Sequence, residues 1–136
     1  MPKVFVYGTL KTAQVNHHLL DGPRGSLRTA PIVAMAPGIV LHAGPDYPFA
    51  IRGQGQAKGE VYTITEAVLR KLDELENHPH DYHREITPVI LANYQRILAW
   101  IYLHRQAYRY PKIATGNWQP PKKLWQYSDY FKPDKF

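Results

Sequence analysis

Apolar and polar positions alternate in short bursts along most of this chain, with one stretch of clear helical spacing. Val4-Phe5-Val6-Tyr7 is an apolar, β-branched and aromatic run that stops at Gly8, which predicts a buried strand. Residues from about Thr12 to Leu20 fit one short helix, closed by Asp21-Gly22-Pro23. Pro31 to Met35 and Gly38 to Leu41 read as two strands around the breaker Pro37-Gly38. Tyr47 to Ile51 is a further extended piece, and Gly53-Gln54-Gly55-Gln56 a turn before the strand Lys58 to Ile64. Tyr82 to Leu91 and Arg96 to His104 form a hairpin pair around Ala92-Asn93-Tyr94-Gln95. The clearest helix runs from Ala67 to Glu76, with Thr63 and Glu66 at capping-box spacing and Pro79 as its stop. Several short strands with one firm helix, and one or two short ones, predict an α+β fold built on a small mixed or barrel-like sheet.

The helix carries a residue that does not suit its face. At about 100° per residue, Val68, Leu69, Leu72 and Leu75 form one apolar stripe. Glu76 stands at i+4 from Leu72 and i+7 from Leu69, on that same stripe. A carboxylate facing a core is costly to desolvate unless it is paired or protonated. Such a group can acquire a raised pKa and serve as a general base near neutral pH. The bland alternative is a glutamate in a fraying last turn that bends out to solvent. A second candidate is the turn Tyr7-Gly8-Thr9-Leu10, between a buried strand and a predicted helix. Backbone N–H groups in such a turn can converge on a carboxylate or phosphate, with Gly8 allowing close approach. An ordinary strand-ending turn would look the same, and no P-loop pattern follows it.

Composition narrows the classes. The chain has 136 residues, enough for one domain with a real core, and 44% of them are hydrophobic. The expected organisation is a single domain over 1–136, with an irregular aromatic and basic tail from about residue 119. There is no apolar run of membrane length and no signal-peptide pattern, so the cytoplasm is the expected compartment. With no cysteines, disulfides and thiolate metal sites are excluded. The net charge of +6 fits either a solvated basic surface or an anionic partner. The basic residues are scattered and form no nucleic-acid motif, which leaves a nucleic-acid-binding domain as a minor alternative. His78-Pro79-His80-Asp81-Tyr82-His83 has the look of a metal site, but aspartate and tyrosine stand in the wrong order for an H-x-H-x-D-H pattern. No metal is expected.

These pieces together resemble the γ-glutamylcyclotransferase-like family, which includes γ-glutamylamine cyclotransferase-like proteins. The family's Tyr-Gly-Thr/Ser-Leu turn is here Tyr7-Gly8-Thr9-Leu10. Its L-D-x-x-E-x-x-P-x-x-Y-x-R segment runs from Leu72 through Asp73, Glu76, Pro79 and Tyr82 to Arg84. Tyr47-Pro48-Phe49-Ala50-Ile51, Gly59-Glu60-Val61-Tyr62 and Ile113-Ala114-Thr115-Gly116-Asn117-Trp118 are similar to three further family elements. The order is kept over about residues 3 to 118. Asn77 stands where glycine commonly follows the family's glutamate; asparagine tolerates the left-handed backbone that a helix end needs.

The resemblance implies a compact barrel-like fold and an intramolecular reaction that needs no cofactor. The substrate would be a γ-glutamyl compound, released as 5-oxoproline and a free amine or amino acid. Glu76 would be the general base, the turn of Tyr7, Gly8, Thr9 and Leu10 would hold the substrate's carboxylate, and Tyr82 would orient substrate or base. Arg84 is left outside the site as a structural ion-pair partner. The non-enzymatic alternative is a binding module that holds an anionic metabolite or a protein partner in the same pocket.

Overall fold

The computed structural model describes residues 1–12, 14, 16–20 and 31–120. Five strands, β1 (Lys3–Val6), β2 (Ile32–Ala43), β3 (Pro48–Thr63), β4 (Tyr82–Leu91) and β5 (Arg96–His104), close into a barrel in the order β1-β3-β2-β4-β5. All pairings are antiparallel except the seam, where β1 meets β5 in parallel with Val4 opposite Trp100. Alternation along the strands sorts the apolar side chains onto two faces. Phe5, Ile101 and Leu103 point into the barrel, whose interior also holds Ile39, Leu41 and Trp118. Val4, Val6 and Tyr102, one residue out of phase, point outward and are covered by the helix α1 (Glu66–Leu75). The α+β, barrel-like architecture with one firm helix agrees with the sequence pattern.

The hairpin runs over the expected residues, with β4 and β5 paired from Tyr82 opposite His104 to Ile90 opposite Arg96. Two expected breaks are absent. Pro37-Gly38 does not split β2, and Gly53 to Gln56 do not split β3. The two long strands instead pair through an irregularity between Pro37 and Ile39, with Gly38 at φ 75°. Pro37 faces Gln56 and Ile39 faces Arg52, so β3 carries the extra residues of a bulge. Between Thr12 and Leu20 the described residues contain a 3-10 turn, His17–Leu20, and no α-helix. Asp21-Gly22-Pro23 and the tail beyond residue 120 lie outside the described residues.

Helix α1 starts two residues later than its capping box suggests. Thr63 is still in the sheet, paired with Lys3, and the Ile64 amide donates to Pro2. The cap is Thr65, whose Oγ1 accepts from the Val68 amide at 3.1 Å. Val68, Leu69 and Leu72 are buried against the sheet, whereas Leu75, at the rim of the stripe, is 42% exposed. At the C-terminus the Asn77 amide reaches Glu74 O at 3.1 Å and the His78 amide reaches Asp73 O at 2.9 Å. This is a Schellman closure, and Asn77 takes the left-handed position it requires, at φ 51°.

Candidate active site

Strand β1 leaves the barrel at Tyr7, and the chain turns at Gly8. The turn is fastened chiefly through its carbonyls. Gly8 O accepts from the Lys11 amide at 3.0 Å, Thr9 O from the Asn16 amide at 2.9 Å, and Leu10 O lies 2.9 Å from His17 Nδ1. Two longer-range ties hold the segment that follows. The Thr12 amide donates to Glu60 Oε1 at 2.6 Å, and Lys11 Nζ donates to Trp118 O at 2.8 Å. Three family-like elements that are far apart in sequence therefore meet at this turn: Tyr7 to Leu10, the Glu60 of β3, and the Asn117-Trp118 closure.

Glu76 is the C-cap of α1 and is only 4% exposed, in contrast to Leu75 beside it. The Schellman closure reverses the chain there, and the Tyr82 amide returns to Glu76 O at 3.2 Å. Glu76 lines a cavity together with Phe5, Val6, Tyr7, Gly8, Leu10 and Tyr102. The expected acid and three of the four expected turn residues thus share one wall. The Thr9 side chain is placed otherwise: it is buried, and its Oγ1 accepts from Asn16 Nδ2 at 3.1 Å. Tyr82 also stands outside this wall, within the layer under the helix, where its hydroxyl donates to Pro48 O at 3.3 Å.

The phenols around Glu76 are held neutral by their surroundings. Burial pushes the Tyr7 phenol far above its ordinary pKa of 10.0, and the charge of Glu76 raises it further. The Tyr102 phenol is raised by burial, by its hydrogen bond to Asp73, and by the charges of Asp73 and Glu76. Burial, Tyr7 and Glu76 do the same for Tyr82. All three are therefore neutral hydroxyl donors over the whole working range of pH. Among the described residues of the wall, Glu76 is the only one with a carboxyl side chain.

Two neighbours had no role in the sequence reading. Asp73, one helical turn before Glu76, accepts from Tyr102 Oη at 2.7 Å and from Arg84 Nε at 2.8 Å. Arg84 in turn lies over the Trp100 ring, 4.1 Å from its centroid. Glu60 also accepts from Tyr62 Oη at 3.2 Å, beside its bond to Thr12. Asp73 and Glu60 both sit in the family-like motifs, but Tyr102, which binds Asp73, and Thr12, which binds Glu60, are distant in sequence, and no local pattern announces those contacts. Two of the histidines after the helix have structural partners: His78 Nδ1 accepts from the Arg84 amide, and His83 pairs with Glu85. Among the described residues no group of three or more histidines and acids could hold a metal. None of their helices is long and apolar enough to cross a membrane.

Comparison with known proteins bears on this arrangement. Residues 4–120 match the family described as Gamma-glutamyl cyclotransferase, AIG2-like. A Drosophila melanogaster protein provisionally named a gamma-glutamylcyclotransferase is 36% identical over 110 residues, which cover 76% of this chain and 69% of that protein. The Homo sapiens gamma-glutamylaminecyclotransferase is 37% identical over 97 residues, covering 67% of this chain and 63% of that one. The crystal structure of an AIG2-like protein from Mus musculus superposes with a TM-score of 0.71 at 23% identity, over 90% of this chain and 98% of the mouse chain. That last likeness concerns the fold.

Proposed function

Because this chain belongs to the gamma-glutamyl cyclotransferase, AIG2-like family, we propose that it releases 5-oxoproline from a γ-glutamyl compound, with Glu76 as the proton acceptor. The single observation that carries this reading is the buried Glu76 carboxyl side chain on the same cavity wall as Gly8 and Leu10. The carbonyls of Gly8, Thr9 and Leu10 are engaged by Lys11, Asn16 and His17, and on this reading the ligand meets the amide side of the turn. The substrate's α-carboxylate binds there, which brings its α-ammonium towards Glu76. Glu76 takes a proton from that ammonium, and the freed amine attacks its own γ-carbonyl carbon. The new ring nitrogen then sheds its surplus proton, the γ-amide C–N bond breaks, and both protons pass by way of Glu76 to the leaving nitrogen, which departs as an ammonium.

No enzyme nucleophile is required, because the attacking amine is tethered to the carbon it attacks and needs only orientation. The neutral tyrosines cannot replace Glu76 as base; Tyr7 and Tyr102 shape the wall, with their hydroxyls tied to the Tyr102 carbonyl and to Asp73. Tyr82 acts on this reading through the Glu76 main chain and the packed layer beneath it.

The test is a screen of γ-glutamyl amino acids, γ-glutamylamines and glutathione-like peptides for 5-oxoproline release. At least one class should be turned over. Glu76→Gln should lower that turnover by on the order of 10²–10⁴-fold with binding largely kept. Glu74→Gln, on the exposed face of the same turn, should leave it unchanged. An inactive Glu74→Gln beside an active Glu76→Gln would show that the wrong acid has been assigned.

A further inference from the structure

The cavity that Glu76 and the turn share is braced by a short relay that starts on the same helical turn as Glu76. Asp73 Oδ1 accepts two hydrogen bonds, from Tyr102 Oη at 2.7 Å and from Arg84 Nε at 2.8 Å. Tyr102 lines the cavity, and its main-chain carbonyl accepts the Tyr7 hydroxyl at 2.5 Å. Tyr7 is the residue from which the chain enters the turn. Asp73 thus stands three positions before the acid on the same helical turn, and is connected to the turn by two hydrogen bonds through Tyr102.

We propose that Asp73 is a positioning residue for the cyclisation: by holding the Tyr102 hydroxyl it fixes the strand carbonyl that anchors Tyr7, and so sets the turn relative to Glu76. The inference rests on the reading of Glu76 as base. Asp73 touches no reacting atom in this scheme. Its carboxylate is only 18% exposed and its ion pair with Arg84, itself 20% exposed, is braced by the Trp100 ring. A charge-assisted acceptor in that setting holds a phenol more firmly than water would. Burial and the Asp73 contact keep Tyr102 protonated, so the relay donates in one fixed direction, from Tyr102 to Asp73 and from Tyr7 to Tyr102. The Arg84 pair supplies rigidity to Asp73 and not the link itself.

Variants separate a positioning role from a merely structural ion pair. Asp73→Ala removes both bonds. Asp73→Asn keeps an acceptor oxygen for Tyr102 but loses the charge that pairs with Arg84. Tyr102→Phe removes the hydroxyl and keeps the ring and carbonyl, and Arg84→Met removes the ion pair alone. With the full chain and a γ-glutamyl compound that it turns over, Asp73→Ala and Tyr102→Phe should each lower kcat by about 10- to 100-fold, the scale of a misplaced reacting geometry. KM should change by less than about threefold, and the double variant should be no worse than either single one. Asp73→Asn should recover most of the loss. Equal losses in Asp73→Asn, Asp73→Ala and Arg84→Met would overturn the proposal in favour of a structural ion pair.

A second readout does not depend on activity. In protein carrying ¹³C-labelled tyrosine, Asp73→Ala and Tyr102→Phe should shift the Tyr7 ring resonances alike, and Arg84→Met should not. A wild type that releases no 5-oxoproline would defeat the cyclisation reading, and the Tyr7 resonances would still decide the relay: unmoved signals would refute it.

Discussion

Gly116→Ala is the substitution whose cost is most directly set by the structure. Gly116 sits at φ 68°, where an L-residue costs about 1–2 kcal/mol. A Cβ built there would lie 2.0 Å from the Gln56 carbonyl oxygen and 3.2 Å from its carbon, which are backbone atoms of β3 and cannot swing aside. Relief must separate the two segments, and so breaks the 2.7 Å bond from the Lys58 amide to Gly116 O, worth about 1 kcal/mol net. The total is about 2–3 kcal/mol before any disturbance of Trp118, which is buried in the barrel interior two residues on. At roughly 3–4 °C per kcal/mol for a domain of this size, the melting temperature should fall by about 10 °C. Urea unfolding of wild type and variant measures the difference, with Gly53→Ala as comparator. There the added Cβ meets only the Val40 Cγ2 methyl at 3.1 Å, and the loss should stay below about 1 kcal/mol. Similar midpoints for the two variants would refute the claim that Gly116 is required for closure against β3. Because Lys11 Nζ is tied to Trp118 O, activity should fall along with stability.

Three further outcomes are expected. Thr65→Ala should cost about 1 kcal/mol by removing the N-cap, and Thr63→Ala should not behave as a cap variant; thermal unfolding of the pair checks this. Gly8→Val should abolish ligand binding by calorimetry while leaving much of the fold, and a co-crystal with a carboxylate ligand should place its oxygens roughly 2.7–3.2 Å from the turn amides. Burial alone would raise the Glu85 carboxyl, but hydrogen bonds from Arg52 and His83 hold it below its ordinary 4.5. A lowered folded pKa means that its contribution is present above the unfolded value and is lost as pH falls through the folded one. Glu85→Gln should therefore flatten the acid limb of stability below about pH 4.5, and only slightly, because Arg52 and Glu85 are both well exposed.

The sequence was most legible where local pattern and tertiary pairing agree. The β4–β5 hairpin is such a place: its alternation, its tip and its partner all demand the same bounds. It misled where a breaker has a second use. Pro37-Gly38 and Gly53 to Gln56 suggest chain reversal, but two strands already paired on both sides absorb them as a bulge. Thr63 and Thr65 are both good caps, and only the reach of the β1–β3 ladder, which is non-local, decides between them.

The same reasoning explains how the candidate acid could be read from spacing while Tyr102 and Glu60 could not. In the run from Leu72 to Arg84 the positions answer to one helical turn and its reversal. Leu72 enters the core, Asp73 takes Arg84, Glu76 reaches the cavity, Asn77 turns left-handed, and the Tyr82 amide comes back to Glu76. These are short-range consequences of helix geometry and capping, so they leave a pattern in sequence. Tyr102 and Glu60 reach the site only because the barrel closes, bringing β5 beside β1 and β3 against the loop. In the strand Arg96–His104 the outward phase of Tyr102 matches that of a tyrosine that merely packs. What distinguishes it is the carboxylate 29 residues earlier in the chain, and that contact exists only in three dimensions.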